Sequence, residues 1–456
     1  MHGHGPPYGA DMSPEAVQRL HSIMPSVLSD LKDLVRIPSV GADPARAADV
    51  RRSADAVAAL LRDAGFAEVD VVEAGGGPAV IANHPAPEGA PTVLLYAHHD
   101  VQPTGDPAAW TSPPFEPTER GERLYGRGAA DDKAGIAAHL AAFRAYDSEP
   151  PVGVTVFVEG EEESGSASLG ALLDTYRERL AADVIVIADS SNWDIGTPAL
   201  TTTLRGLVDC VVEVETLKHS VHSGMWGGVF PDALMVLTRL LSTLHDDSGE
   251  VAVAGLHATM AADVEYPADR LVAESGVLPG VEQIGKGSVV ERLWAKPSIA
   301  VIGIDAPSIA ESSNTLVPRA RAKVSMRIAP GSDTDASMDA LVAHLESHAP
   351  WGAKVTVTPN DRGDAYEVDA TGPAYDAARE AFREAWDGVA PIDMGVGGSI
   401  PFIAEFADRY PGAAVLVTGV EDPDTRAHGI DEGLHLGEFA RVCLAETLLL
   451  SKLAER

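Results

Sequence analysis

The sequence predicts an α/β protein of two domains, with a smaller α+β domain inserted into the larger one. Three observations point there. The chain has 456 residues, too many for a single core. Uncharged apolar runs alternate with helical patterns toward both ends, which implies a sheet covered on both faces. Between them lies a stretch whose elements follow the order β-α-β-β-α-β, the ferredoxin-like pattern.

Apolar positions at helical spacing (Val17, Leu20, Ile23, Met24) predict a helix from Pro14 to Ile37, stopped near Pro38. A second helix is expected over Ala45–Ala64. Short apolar runs at Val69–Val72, Ala79–Ala82 and Thr92–Ala97 predict strands. A proline-rich loop spans Pro103–Pro117, and a helix follows from Lys133 to Tyr146. Val152–Val158 and Val184–Ala188 are uncharged, as buried parallel strands are. Past Arg205 the texture changes. Leu207–Thr216 alternates, with Val208, Cys210, Val212 and Val214 on one face. A helix over Pro231–Leu244, strands at Ser298–Ile304 and Ala320–Ile328, a helix over Thr334–His348 and a strand at Lys354–Thr358 complete the inserted pattern. A helix at Ala374–Trp386, a strand at Ala414–Val417 and a helix at Glu438–Leu453 return to the first domain. The domains so read are residues 1–205 with 366–456, and residues 206–365.

A formal net charge of -34 at pH 7 argues against nucleic acid, whose phosphates would be repelled, and against an anionic membrane surface. No apolar run is long enough to span a bilayer, and no signal peptide is visible. The two cysteines, Cys210 and Cys443, lie in apolar stretches and read as core residues, which suits a cytoplasmic protein.

Acidic residues and histidines recur where apolar runs end in glycine-flanked loops. They are His98 and Asp100 in Y-A-H-H-D-V-Q-P, Asp131 in Y-G-R-G-A-A-D-D-K-A-G, Glu162 and Glu163 in E-G-E-E-E-S-G-S, Asp189 in V-I-V-I-A-D-S, and His428 in D-T-R-A-H-G-I-D-E. Imidazole and carboxylate form a mixed ligand set for divalent metals, and strand ends are where open α/β sheets place ligands. Asp100 could hold the second ring nitrogen of a ligating His98; a strand-end Asp also caps turns. Asp131 could bridge two ions. Among Glu161, Glu162 and Glu163, one on a metal and its neighbour facing water would suit hydrolysis, but spacing leaves the register open. Asp189 alone could be an N-cap, and His428 alone a surface histidine. Together they suggest a metal hydrolase.

In combination these motifs resemble the carnosinase-like branch of the di-metal exopeptidase family that includes carboxypeptidase G and aminoacylase. The resemblance runs from Ile37-Pro38-Ser39 to the last helix. It implies a zinc-exopeptidase catalytic domain with a mixed sheet, and a ferredoxin-like lid that also makes a homodimer. It implies two divalent ions per subunit, Zn²⁺ ahead of Mn²⁺ or Co²⁺. His98, Asp131 and Asp189 would hold one; Asp131, Glu163 and His428 would hold the other. Glu162 would activate a bridging water, and Asp100 would orient His98. The family's cis peptide would fall at Asp131–Asp132. His222, in S-V-H-S-G, would stabilise the oxyanion in the partner's site, although Ser220 stands where many relatives have Asp. Asn314, Thr315, Arg327, Gly398 and Ser399 would contact substrate, with Arg327 and Ser399 gripping its C-terminal carboxylate. The implied activity is a dipeptidase acting on dipeptides or short peptides. N-acyl-amino-acid deacylation on the same ions is the alternative, and an inactive peptide-binding relative a remoter one.

Overall fold

The computed structural model describes residues 13–398 and 401–456. The chain divides into two compact units: Met1–Thr202, Asp369–Met394 and Glu405–Arg456 form one, and Thr203–Val368 with Gly395–Ala404 form the other. The short segment Gly395–Ala404 thus groups with the inserted unit, whereas the sequence reading kept it in the outer one.

The first unit is built on a mixed sheet. Its strand order is Glu68–Val72, Ala79–His84, Gly153–Glu159, Thr92–His98, Val184–Ile187, Ala414–Val417 and Ala199–Leu204. The middle strands Gly153–Glu159, Thr92–His98, Val184–Ile187 and Ala414–Val417 are mutually parallel. Gly153–Glu159 and Val184–Ile187 are buried along their whole length. A strand buried on both faces requires apolar side chains of both parities, which explains their uncharged runs. Helices Ser13–Val35, Lys133–Ala145 and Leu436–Ala454 pack on one another. They present Leu20, Val27 and Leu31, Ile136 and Leu140, and Val442 and Leu449 to the core.

Parallel strands share one polarity, so all four middle strands end at the same edge. His98 ends one of them, and the segments after them carry Asp100, Glu162 and Glu163, Asp189, and the run from Val420 to His428. That edge is where open α/β sheets place their ligands.

In the second unit four antiparallel strands take the order Ser298–Asp305, Arg319–Ile328, Gly206–Glu215, Lys354–Gly363. In chain order that is 2-3-1-4, with helices Ala233–Leu241 and Thr334–Ser347 as the two crossovers. Both helices cover one face, where Val208, Cys210, Val212, Val324 and Met326 meet Val236, Leu240, Met338 and Leu341. Pro359 lies on the edge strand Lys354–Gly363, where the register shifts; an edge is where a missing amide is tolerated. Both cysteines are free and buried, and no helix among the described residues is long and apolar enough to cross a membrane.

Candidate active site

Sheet polarity, then loop bracing, assembles the site of the first unit. His98 ends its strand fully buried, with Nδ1 3.1 Å from the Asp100 carbonyl oxygen and 3.5 Å from Asp100 Oδ1. The Asp100 carboxylate also braces the glutamate loop. Its Oδ1 accepts the Glu162 amide at 3.1 Å, and its Oδ2 accepts the Glu163 amide at 3.2 Å. Asp100 therefore fixes the imidazole mainly through its backbone and the paired glutamates through its side chain. Gly41 leaves room for this, because a Cβ there would lie 2.4 Å from Asp100 Oδ2.

Asp131 lies between the two histidines. Its Oδ1 is 3.1 Å from His98 Nε2, and its Oδ2 is 3.0 Å from His428 Nε2. One carboxylate thus turns a separate oxygen to each imidazole. Asp189 Oδ1 lies 3.8 Å from His98 Nε2, and Glu163 Oε2 lies 3.1 Å from His428 Nε2. Ligand atoms of His98, Asp131 and Asp189 fall within 4.8 Å of one another, and so do those of Asp131, Glu163 and His428. The two groups share Asp131. Glu162 Oε2 lies 3.9 Å from His98 Nε2, beside the first group but outside it.

The three glutamates differ in their neighbours. Glu161 Oε2 accepts the Gly77 amide at 2.8 Å, and its other oxygen accepts the Ser168 amide. It braces loops and turns away from the cluster. Asp132 likewise accepts the His98 amide at 3.2 Å, and the Asp131–Asp132 peptide bond is cis. His428 has a left-handed backbone, with φ of 62°; such a conformation is uncommon outside glycine and recurs at functional sites.

Electrostatics sets the cluster apart from a surface acid patch. Burial, then the neighbouring Asp189, pushes the Glu162 carboxyl up to about 9. Burial, opposed by His98 and reinforced by Asp131, brings Asp189 to about 7. Hydrogen bonds to Asp131 and Glu163 lift His428 to about 10. Burial opposes charge on His98, yet Asp100 and Asp131 hold its pKa well above the usual imidazole value. Among the described residues, no lysine or arginine makes an ion pair with these carboxylates. Divalent ions fit: the donors are imidazole nitrogens and carboxylate oxygens, the shared carboxylate suits two of them, and such ions are accepted by this mixed set.

Several supporting residues were not read from the sequence. Gln102 donates its amide to Glu163 Oε1 at 3.0 Å and its side-chain nitrogen to Oε2 at 2.8 Å. Its place in the H-D-V-Q-P motif was the available signal. Glu432 is wholly buried. Its Oε2 accepts Gly128 N at 3.0 Å, and its Oε1 accepts Ala130 N at 3.0 Å and Asp131 N at 3.1 Å. Arg127 reaches Glu432 at 2.7 Å and the Gly429 carbonyl at 2.9 Å. This pair thus ties the Asp131 loop to the loop of His428. Glu421 adds another acid, held well above the usual carboxylate range by burial and by Asp131 and Asp189.

The remaining sequence candidates lie in the second unit. Val221–His222 pairs antiparallel with Thr315–Leu316, with His222 opposite Thr315, and the Ser223 amide donates to the Asn314 carbonyl at 2.9 Å. His222 is exposed, and its Nδ1 accepts the Gly224 amide at 3.0 Å. Gly224 therefore orients the ring, Ser220 making no hydrogen bond to it among the described residues, and Nε2 is left to donate. Arg327 lies on the strand Arg319–Ile328, and Gly398 follows the strand Ile392–Val396. Ser399 lies outside the described residues.

The family model of peptidase family M20/M25/M40 matches residues 94–452. A cysteinylglycine-S-conjugate dipeptidase of Corynebacterium striatum is 36% identical over 368 residues, covering 79% of this chain and 81% of the relative. A β-Ala-His dipeptidase of Rattus norvegicus is 30% identical over 387 residues, covering 80% and 78%. Among solved structures, the dipeptidase Dug1p of Saccharomyces cerevisiae matches with a TM-score of 0.77 at 24% identity, over 98% of this chain and 99% of that one. Human carnosine dipeptidase 1 matches with a TM-score of 0.77 at 24% identity, over 99% and 100%. These two likenesses show the fold: a mixed α/β architecture around a central mixed sheet. With most of its length matched by the family model, the chain belongs to peptidase family M20/M25/M40.

Proposed function

We infer that the chain is a metal-dependent dipeptidase, hydrolysing dipeptides or short peptides with a free C-terminal carboxylate. One observation carries the reading: two ligand groups share Asp131 at the C-terminal edge of the parallel strands, with Glu162 beside them. The dipeptidase names of its relatives from Corynebacterium striatum and Rattus norvegicus support the substrate class.

His98, Asp131 and Asp189 would hold one divalent ion, and Asp131, Glu163 and His428 the other. We favour Zn²⁺, with Mn²⁺ and Co²⁺ accepted by the same donors. Such ions supply Lewis acidity toward the scissile carbonyl and the attacking water. Two cations beside Glu162 would bring its raised pKa back down, so that it takes the proton of that water and delivers it to the leaving amine, acting as base and then as acid. Asp100 keeps Glu162 and Glu163 in place through their amides. His222 of one subunit donates Nε2–H to the oxyanion of the tetrahedral intermediate in the partner's site; its Nδ1, occupied by Gly224, supports that tautomer. Arg327 and Ser399 grip the substrate's C-terminal carboxylate, and Asn314, Thr315 and Gly398 contact substrate. We further propose that the inserted unit acts as a lid and as the contact of a homodimer, and that the protein works in the cytoplasm, where two free thiols persist.

The test is a cleavage screen of dipeptides and N-acetyl amino acids with Zn²⁺, Mn²⁺ or Co²⁺ supplied, alongside elemental analysis. Dipeptide cleavage with two ions per chain is expected. Cleavage of N-acetyl amino acids alone would replace the reading with a deacylase.

A further inference from the structure

The inserted unit holds two neighbouring guanidinium groups, those of Arg205 and Arg327, that make no ion pair among the described residues. Arg205 immediately precedes the strand Gly206–Glu215. Arg327 stands opposite Leu207 on one side and Ser298 on the other. Side chains directly opposite in antiparallel strands share a face. That face is the reverse of the one bearing the core residues Val208, Val324 and Met326. Arg205 is only 8% exposed. Its Nη1 donates to Ser298 Oγ at 2.9 Å and lies 3.4 Å from the carbonyls of Arg292 and Lys296. Its Nε is buried without a partner. Among the described residues, the Nε–Nη2 edge, the side that takes a carboxylate in bidentate fashion, is therefore without a partner.

Two further facts mark this edge as kept open. A Cβ at Gly397 would come within 2.9 Å of Arg205 Nη2, so glycine there leaves the edge clear. The neighbouring acid on the same face, Asp209, is already engaged by Lys323 at 3.2 Å and Asn360 at 2.8 Å. Neither Arg205 nor Arg327 has an ion pair among the described residues, in a chain with 68 acidic and 34 basic residues. Burial, then the charge of Arg327, lowers Arg205 to about 10. Two adjacent cations set aside from so much acid indicate an anionic ligand.

We propose that Arg205 is a specificity-determining residue that binds the substrate's C-terminal carboxylate beside Arg327, with Ser298 fixing its guanidinium. This rests on the dipeptidase reading. The competing role is structural, in which Arg205 only caps the carbonyls of Arg292 and Lys296.

The experiment compares Ala-Gly with its C-terminal amide in wild type, Arg205→Gln and Arg205→Lys, each metal-loaded. Losing a bidentate charge-assisted contact should raise KM for Ala-Gly by roughly 10- to 100-fold, with kcat within about twofold and the amide unaffected. Arg205→Lys keeps the charge and drops the fork, so it should show the same carboxylate-specific loss even if the Gln variant folds poorly. In parallel, glycine and glycinamide are tested as ligands by thermal shift. Glycine should raise the midpoint of wild type and not of either variant; glycinamide should raise none. Equal losses on acid and amide, or a glycine shift that survives in the variants, would overturn the proposal. Failure of wild type to cleave Ala-Gly while the glycine shift depends on Arg205 would instead refute the dipeptidase reading and leave the anion site standing.

Discussion

Glu432→Gln is the sharpest probe of how the site is held. The Glu432 carboxylate is wholly buried and answers four donors: Arg127 and the amides of Gly128, Ala130 and Asp131. The amide isostere keeps one acceptor oxygen and turns an NH₂ toward donors. Arg127, 1% exposed, loses its counter-charge. Breaking a buried pair from one side costs about 3–5 kcal/mol, and an orphaned buried amide about 1–3 kcal/mol more. The retained oxygen offsets part of this, so the net loss should be about 4 kcal/mol. Most folded proteins have roughly 5–15 kcal/mol, so the variant should still fold.

The assay is thermal unfolding with and without added Zn²⁺, together with calorimetric metal titration. At about 2–4 °C per kcal/mol for units of this size, the midpoint should fall by about 8–16 °C. The same lesion frees the Asp131 backbone and the Gly429 carbonyl next to His428. Affinity for the ion that Asp131, Glu163 and His428 would hold should therefore drop roughly 10- to 100-fold, as for other residues that orient ligands. A midpoint within about 2 °C of wild type with unchanged metal affinity would refute the bracing role.

Other expectations can be checked together. Glu162→Gln should retain both ions by elemental analysis and lose on the order of 10²- to 10⁴-fold in kcat; retained turnover would move the base elsewhere. His222→Ala should lower kcat by on the order of 10²-fold with little change in KM, and a change in KM alone would make it a binding residue. Chelation should lower the unfolding midpoint, since ions that bind only the folded chain stabilise it by mass action; an unchanged midpoint would argue against resident ions. His139 is buried, with Nδ1 2.8 Å from Glu446 and Nε2 3.0 Å from the Tyr96 carbonyl. Burial alone would lower its pKa, but Glu446 raises it above the ordinary 6.5. The pair's stabilisation is thus complete below about pH 6.5 and lost as pH rises through the folded value. The stability gap between wild type and Glu446→Gln should narrow over that range; a gap independent of pH would show the pair is not ionic.

Much of the architecture was legible because burial leaves a local trace. The strands Gly153–Glu159 and Val184–Ile187 are buried throughout, and a segment in that position can hold few charges. Glu162 and Asp189 follow closely on those runs, so these candidates stand out by contrast. The strand Ala199–Leu204 was missed for the converse reason. Its three threonines, Thr201, Thr202 and Thr203, interrupt the apolar run, and Thr201 is buried because its hydroxyl meets Ser190 Oγ at 2.8 Å. Ile392–Val396 is short and carries Asp393 and Gly395, which depress strand propensity. The helix Pro401–Arg409 begins within a glycine-proline loop that reads as a turn.

The braces of the site were illegible for a deeper reason. Glu432 meets its donors across about 300 residues of chain, and no local period encodes such a pairing. In sequence, D-E-G is a polar loop, and Arg127 is one cation in a glycine-rich stretch. What makes them a pair is the sheet polarity: the strand Ala414–Val417 runs parallel to Val184–Ile187. It therefore delivers the chain's last loop to the edge where the first strands end. A motif can name candidate ligands because their chemistry is intrinsic to the residues. Residues that only hold ligands in place acquire a role from the topology, so they become visible once the strand directions are known.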